Sequence, residues 1–375
     1  MQIHTTPLNW TRVIPYFGSY KADLDRVLSA SRNSIDAGNL FIDAAAPNAA
    51  LLGFSYDGIV ATQLSGQERI SGLIELMPKL ATQIDPIAAK ILAVNKDISK
   101  VDPTRYPKRL GGLDVRGSVT QVISLANNLA QAAPQLKEVL TVLPQELGLD
   151  KPKTYLVLFQ NDKELRSTGG FWTAYAIITL DKGQIVDMQS GDMYFLDIDN
   201  RVAFYPAAPA PIANYLKLDQ WYIRDVNIFP DFKVSVEKMG EFWARVPGVP
   251  RYDAVVGIDT YLVEDLLKVL GPVQFGGYGQ FTSENVTYQL EMVSNVLKKN
   301  EGDRKDILSG LMREMITRAF GMPSNEYDKL LAAIFKNLSA KHVLLYFKNT
   351  AAQALAEEFN YAGRIENFDG DYLHI

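Results

Sequence analysis

The sequence predicts an α/β protein in which an N-terminal helical region precedes a layered core of strands and helices. Three observations carry this. Apolar residues recur at helical spacing over residues 20–150. From Gly148 onward the pattern changes to apolar runs of strand length. Those runs then alternate with helical stripes down to the C-terminus. The division expected is a helical stalk or bundle over residues 1–150 and an α/β domain over residues 151–375.

In the first region, Val119, Val122, Ala126 and Leu129 form one stripe, and Leu136, Leu140, Leu143 and Leu147 form the next. Pro134 is expected to separate or kink the two. The stretch Gln67 to Ile98 is helix-like, with Pro78 and Pro86 as expected breaks. In the second region, TYLVLFQ (Thr154 to Gln160) is continuously apolar, as in a strand covered on both faces. FWTAYAIITL (Phe171 to Leu180) is a second strand. A turn at Asp181-Lys182-Gly183 leads into a third, Ile185 to Gln189. Tyr205 to Ile212 is a Pro/Ala loop. Tyr252 to Ile258 is a further strand, followed by a helix with Leu262, Leu266 and Val269 on one face and Gly271-Pro272 at its end. A short strand at Val273 to Phe275 precedes a helix that Thr282 or Ser283 can cap, with the stripe Val286, Leu290, Val293 and Leu297. Helices near Arg304–Phe320 and Tyr327–Leu338 and a strand at His342 to Phe347 complete the prediction.

Composition excludes several functions. The chain has 375 residues, 47% of them hydrophobic, so it can bury more than one core. A net charge of -5 and the lack of any Lys/Arg run argue against nucleic acid as a partner. With no cysteine there are no disulfides, thiolate zinc sites or thiol nucleophiles. The three histidines, His4, His342 and His374, are far apart in sequence, which disfavours a Ser-His-Asp triad or a His-rich metal site. No stretch has the apolar length of a spanning helix, and no signal peptide is visible at the start. Walker A, Rossmann, zincin, nucleophile-elbow and EF-hand motifs are all missing.

Three segments can carry chemistry. The loop Asn161 to Phe171 leaves the end of a buried strand, where ligands bind in open α/β sheets. Gly169-Gly170 can present consecutive N–H groups to an anion, and Arg166 can offer a bidentate fork to a phosphate or carboxylate. Asn161, Glu164 and Thr168 accompany them as candidate ligand contacts. An ordinary turn with Arg166 paired to Glu164 or Asp162 fits the spacing equally well. In the second segment, Trp221 to Phe232, an extended chain would project Asp225, Asn227 and Asp231 to one side. Asp225 and Asp231 could then hold Mg²⁺, with Asn227 as a ligand contact, or Asp225 could act as a general base. A solvated loop with Asp225 paired to Arg224 fits too. The third segment, Gly302 to Leu308, is a charged helix start with Asp303 as N-cap and Arg304 beside it.

At these residues the sequence resembles a known family. FQNDKELRSTGGFWTAYAIITLDKGQI, WYIRDVNIFPDF, YDAVVGIDTYLVEDLLKVLGPVQF and DRKDIL are similar to the signatures of the bacterial domain-of-unknown-function family 4012, from about Tyr155 to the C-terminus. Trp172 stands where that family has an aliphatic residue. The family is distantly similar to the LytR-CpsA-Psr (LCP) enzymes, which transfer lipid-linked glycopolymers onto peptidoglycan. This resemblance implies an LCP-like mixed sheet flanked by helices. It also implies a site in which Arg166, Arg224, Asp225 and Arg304 surround a pyrophosphate, with Asp225 holding Mg²⁺ or activating the acceptor hydroxyl. The implied partner is a polyprenyl-linked glycan phosphate, and the implied location is the cell envelope. Thr168 replaces the usual Asp after the first Arg, and Leu270-Gly271-Pro272-Val273 replaces a GGV. These departures leave a non-catalytic envelope scaffold as the alternative. Family members begin with a membrane anchor and continue past a GDYL motif, here Gly370-Asp371-Tyr372-Leu373.

Overall fold

A computed structural model describes residues 17–48, 51, 65–199, 205–274, 279–296, 301–323 and 326–365. His4, His374, Phe275, Leu297 and the Gly370–Leu373 motif lie outside them. The chain divides into two compact units, residues 1–62 with 72–144, and residues 63–71 with 145–375.

The first unit is helical. It is built on α1 (Phe17–Ala45), α2 (Gly66–Ile98, whose first turns belong to the second unit) and α3 (Val115–Glu146). Ala30, Ile98 and Ala126 pack at its centre, with Val94 and Ile123 against them. The expected breaks at Pro78 and Pro86 and a separation at Pro134 do not occur, because all three prolines sit inside continuous helices. A proline forfeits one i→i−4 hydrogen bond and bends the helix. Tertiary packing of the remaining turns outweighs that loss.

The second unit is the α/β core. Its elements are β1 (Lys153–Asn161), β2 (Phe171–Asp181), β3 (Gln184–Asp192), α4 (Met193–Asp199), α5 (Phe232–Trp243), β4 (Ala254–Asp259), α6 (Thr260–Leu270), β5 (Val273–Gln274), β6 (Gln280–Phe281), α7 (Val286–Val296), α8 (Glu301–Gly321), α9 (Tyr327–Ser339), β7 (Val343–Phe347) and α10 (Thr350–Glu358). The five-stranded sheet has the order β3-β2-β1-β4-β7. β1 and β4 run parallel, whereas β1–β2, β2–β3 and β4–β7 are antiparallel. The sheet is therefore mixed and flanked by helices, as the sequence predicts.

Position in the sheet explains the strand compositions. β1 is central, and Leu156 and Leu158 are fully buried among Phe232, Val236, Met239 and Val255. β2 and β3 are joined by Lys182-Gly183, both with positive φ. Such a turn matches the right-handed twist of the strands it joins. Gly271, also at positive φ, ends α6 where the sequence places its stop. A second core under α6, α7 and α8 contains Leu267, Val273, Phe281, Val286, Ile307 and Leu311. The short α4 and α10 and the whole of α5 escaped the sequence pattern.

Leu158→Ala should leave a cavity at the centre of the sheet and destabilise the α/β unit by about 2–5 kcal/mol. Denaturant unfolding followed by tryptophan fluorescence measures this, and a loss below 1 kcal/mol would contradict the packing described (about the scale of a volume-conserving swap).

Candidate anion-binding site

The loop leaving β1 is held by buried side chains before it holds anything else. The register between β1 and β2 shifts so that Phe159 faces Ala174 while Gln160 faces Trp172. Thr173 is the extra residue of this bulge, and bulges re-aim neighbouring side chains. Trp172 Nε1 donates to Gln160 Oε1 at 3.1 Å, and Thr168 Oγ1 donates to the same oxygen at 2.9 Å. Asn227 Nδ2 donates to Thr168 Oγ1 at 3.0 Å and to the Gly170 carbonyl at 2.9 Å. All four side chains are buried. Removing one partner from such a chain strands a polar group at a cost of about 1–3 kcal/mol. Trp172, which departs from the family 4012 pattern, and Thr168, which departs from the LCP pattern, are thus both spent on this scaffold.

The glycines serve the same end. A Cβ on Gly170 would lie 2.5 Å from the Asn161 carbonyl oxygen, so only glycine lets the loop return so close to its start. Gly169 has φ +113, and its N–H donates to the Arg166 carbonyl at 3.0 Å. Asn161 Oδ1 accepts from the Lys163 N–H at 3.1 Å. The expected Gly169–Gly170 nest is therefore corrected, because the Gly169 N–H closes the turn instead of facing a ligand. Asn161, Thr168, Gly170 and Asn227 likewise build the loop.

What the scaffold presents is a pair of arginines. Arg166 Nη2 lies 3.1 Å from Glu164 Oε1 and 3.6 Å from Asp225 Oδ1. Its guanidinium lies over the Phe171 ring at 4.9 Å. Arg224 and Asp225 sit on a 3₁₀ turn, Ile223–Asp225. Arg224 Nη1 lies 2.8 Å from Asp197 Oδ2, and Nε lies 3.6 Å from Asp225 Oδ2. Tyr194 and Tyr222 flank that guanidinium at 4.9 and 4.2 Å. The structure thus brings Arg166, Arg224 and Asp225 together. Both turn readings hold as well, since Arg166 meets Glu164 and Arg224 meets Asp225.

The contacts between the arginines and Asp225 are longer than hydrogen bonds. Asp225 is 3% exposed, and its Oδ2 has no hydrogen-bond partner among the described residues; nor does Asn227 Oδ1. The arginine side chains stay 20% and 16% exposed. Burial pushes the Asp225 carboxyl up from its ordinary range, against the opposing pull of Arg224 and then Arg166. Asp197 is raised for the same reason, although Ile223 N–H, Arg224 and the Tyr205 hydroxyl all donate to it. Asp197 was missed from the sequence. It lies in no motif, and only the fold brings it under Arg224.

The other expected residues go elsewhere. The segment Trp221 to Phe232 is not extended, so Asp225, Asn227 and Asp231 do not share a side. Asp231 caps α5, its Oδ1 accepting from the Val234 N–H at 3.2 Å. Its Oδ2 accepts from Arg364 Nε at 2.8 Å and from the Ile365 N–H at 3.2 Å. Mg²⁺ does not fit this donor set, because Asp225 already faces two guanidiniums and Asp231 is committed to Arg364. Among the described residues no three His, Asp or Glu side chains converge on a metal position. Arg304 and Asp303 fall in the first turn of α8, with side chains outside the described residues. The Leu270–Val273 segment turns α6 into β5. His342, which the sequence sets aside, pairs through Nδ1 with Oδ2 of Asp259, the last residue of β4, at 2.7 Å.

Residues 150–293 match the model of a family, Protein of unknown function (DUF4012). The matched segment contains Arg166, Arg224 and Asp225 and stops short of Arg304. No curated protein matches the chain. Three solved structures are similar. The transcriptional regulator yvhJ from Bacillus subtilis is 15% identical with a TM-score of 0.29, over 56% of this chain and 76% of its own. Lin1025 from Listeria innocua is 13% identical with a TM-score of 0.32, over 56% and 78%. TagV of B. subtilis is 15% identical with a TM-score of 0.31, over 57% and 81%.

The cap at Asp231 has a pH signature. Burial raises its carboxyl, but Arg364 and the two backbone donors outweigh this and hold it below the ordinary range. A depressed acid contributes stability in full above its unfolded pKa, near 3.9, and loses it as pH falls through the folded value. Asp231→Asn should therefore lower stability at neutral pH and flatten the acid side of the stability–pH curve. Unchanged acid sensitivity would contradict the assignment.

Proposed function

We propose that this chain binds a phosphate- or pyrophosphate-bearing ligand between Arg166 and Arg224, and that in the cell the ligand is a lipid-linked glycan of the bacterial envelope. One observation carries the reading: two partly exposed guanidiniums face one buried carboxylate without forking onto it. Each guanidinium has five donors. Among the described residues Arg166 uses donors on the Leu165 carbonyl and Glu164, and Arg224 uses one on Asp197. The rest are available to phosphate oxygens, which suit the planar fork. Tyr194 and Tyr222 give the ligand apolar faces beside its charge. The motif resemblance to LCP enzymes supports a glycan ligand and an envelope location.

In this reading Asp225, raised by burial, is suited to take the proton of an acceptor hydroxyl. The second reading is a scaffold without turnover. It is favoured by the pairing of both arginines with Glu164, Asp197 and Asp225 within the fold.

Calorimetric titration with inorganic pyrophosphate and with farnesyl pyrophosphate tests the proposal. Losing a charge-assisted hydrogen bond costs ~1.5–3 kcal/mol, so Arg166→Ala and Arg224→Ala should each weaken binding about 10- to 100-fold. Binding that is unchanged in both variants would leave the scaffold reading. Turnover of a lipid-linked glycan by the purified chain would remove it.

A further inference from the structure

We infer that the outward face of α3 is a self-association seam through which two copies of this chain pair, helix against helix. α3 is apolar on two faces. One is small and buried: Ala126, Ala130 and Ala133, with Ala126 packed against Ala30 and Ile98. The other is large and open. Val122, Leu125, Leu129, Leu136 and Leu143 are 52, 59, 46, 46 and 37% exposed. Single exposed leucines need no explanation, but a helix apolar on two sides is expected to be covered on both.

The spacing says what covers it. Val122, Leu125, Leu129, Ala132, Leu136, Val139 and Leu143 alternate three and four residues apart. That places an apolar residue at every a and d position of three heptads, and the inner alanines fall at other positions. A 3.5-residue period keeps a seam straight only against another helix in a left-handed coil. A helix packed on a globular surface follows 3.6. The seam from Val122 to Leu143 is ~32 Å long at 1.5 Å per residue.

The flanks point to a second copy. No charged residue lies between Arg116 and Lys137, and the g positions are Gln121, Asn128 and Gln135. In an antiparallel two-fold pair each flank meets the same flank of its partner, so like charges there would repel. Amides both donate and accept, and so tolerate their own copies. α1 also exposes apolar residues one heptad apart, Leu28, Ile35 and Ile42.

The full chain tests this, and its lack of cysteine makes a single introduced thiol informative. The native protein should sediment at twice the chain mass. Leu129→Glu with Leu136→Glu should halve that mass, with the helical circular dichroism unchanged. Ala132→Cys, at the middle of the seam, should form a disulfide-linked dimer on mild oxidation without disturbing the fold. A native chain that is monomeric at every accessible concentration would overturn the inference. So would a dimer that survives the double substitution and leaves Cys at 132 unlinked.

Discussion

The arrangement of the α/β unit turns on one buried oxygen, Gln160 Oε1. It accepts from Trp172 and Thr168, and Thr168 in turn accepts from Asn227, which also holds the Gly170 carbonyl. Asn227, 59 residues from Thr168, is thereby tied to the end of β1 and the loop that leaves it. In a dry interior each orphaned group of such a chain costs more than a completed bond gains, and Asn227 Oδ1 has no partner among the described residues. Satisfying it leaves little freedom for the Asn161–Phe171 loop or for the turn at Arg224. The positions of the two guanidiniums follow from it.

Electrostatics completes the arrangement. Two arginines held close to one point would repel each other unless anions stood between and beside them. Asp225 occupies the middle, Asp197 sits beneath Arg224, and Glu164 is beside Arg166. Asp225 is also short of hydrogen bonds, since both guanidiniums stand 3.6 Å away. Its carboxylate holds the place that the proposed phosphate would share. The arginines are pre-positioned in the free protein, so a ligand would not have to order them.

Much of the fold was legible in the sequence. The unbroken apolar run of β1 announced a strand covered on both faces. Lys182-Gly183 announced a hairpin, and Gly271-Pro272 the end of α6. The site was legible only in part. Arg166 and the Arg224–Asp225 pair stood out as motifs, but 58 residues separate Arg166 from Arg224 (224 − 166) and no local rule joins them. An extended segment from Trp221 would have set its polar residues on one side, whereas Ile223 and Val226 are buried and Ile223–Asp225 forms a 3₁₀ turn. The glycine pair looked like an anion nest because sequence shows which N–H groups could be free, not which the fold consumes. Asp197 carried no signal at all.

The central claim is that Asp225 stands where an external anion would be held by the same two guanidiniums. Pyrophosphate affinity of Asp225→Asn against the native chain tests this most directly. Neutralising the carboxylate should release both arginines and tighten binding, with the fold retained by circular dichroism. Weaker or unchanged binding in a folded variant would contradict the account and make Asp225 a strut between the two loops.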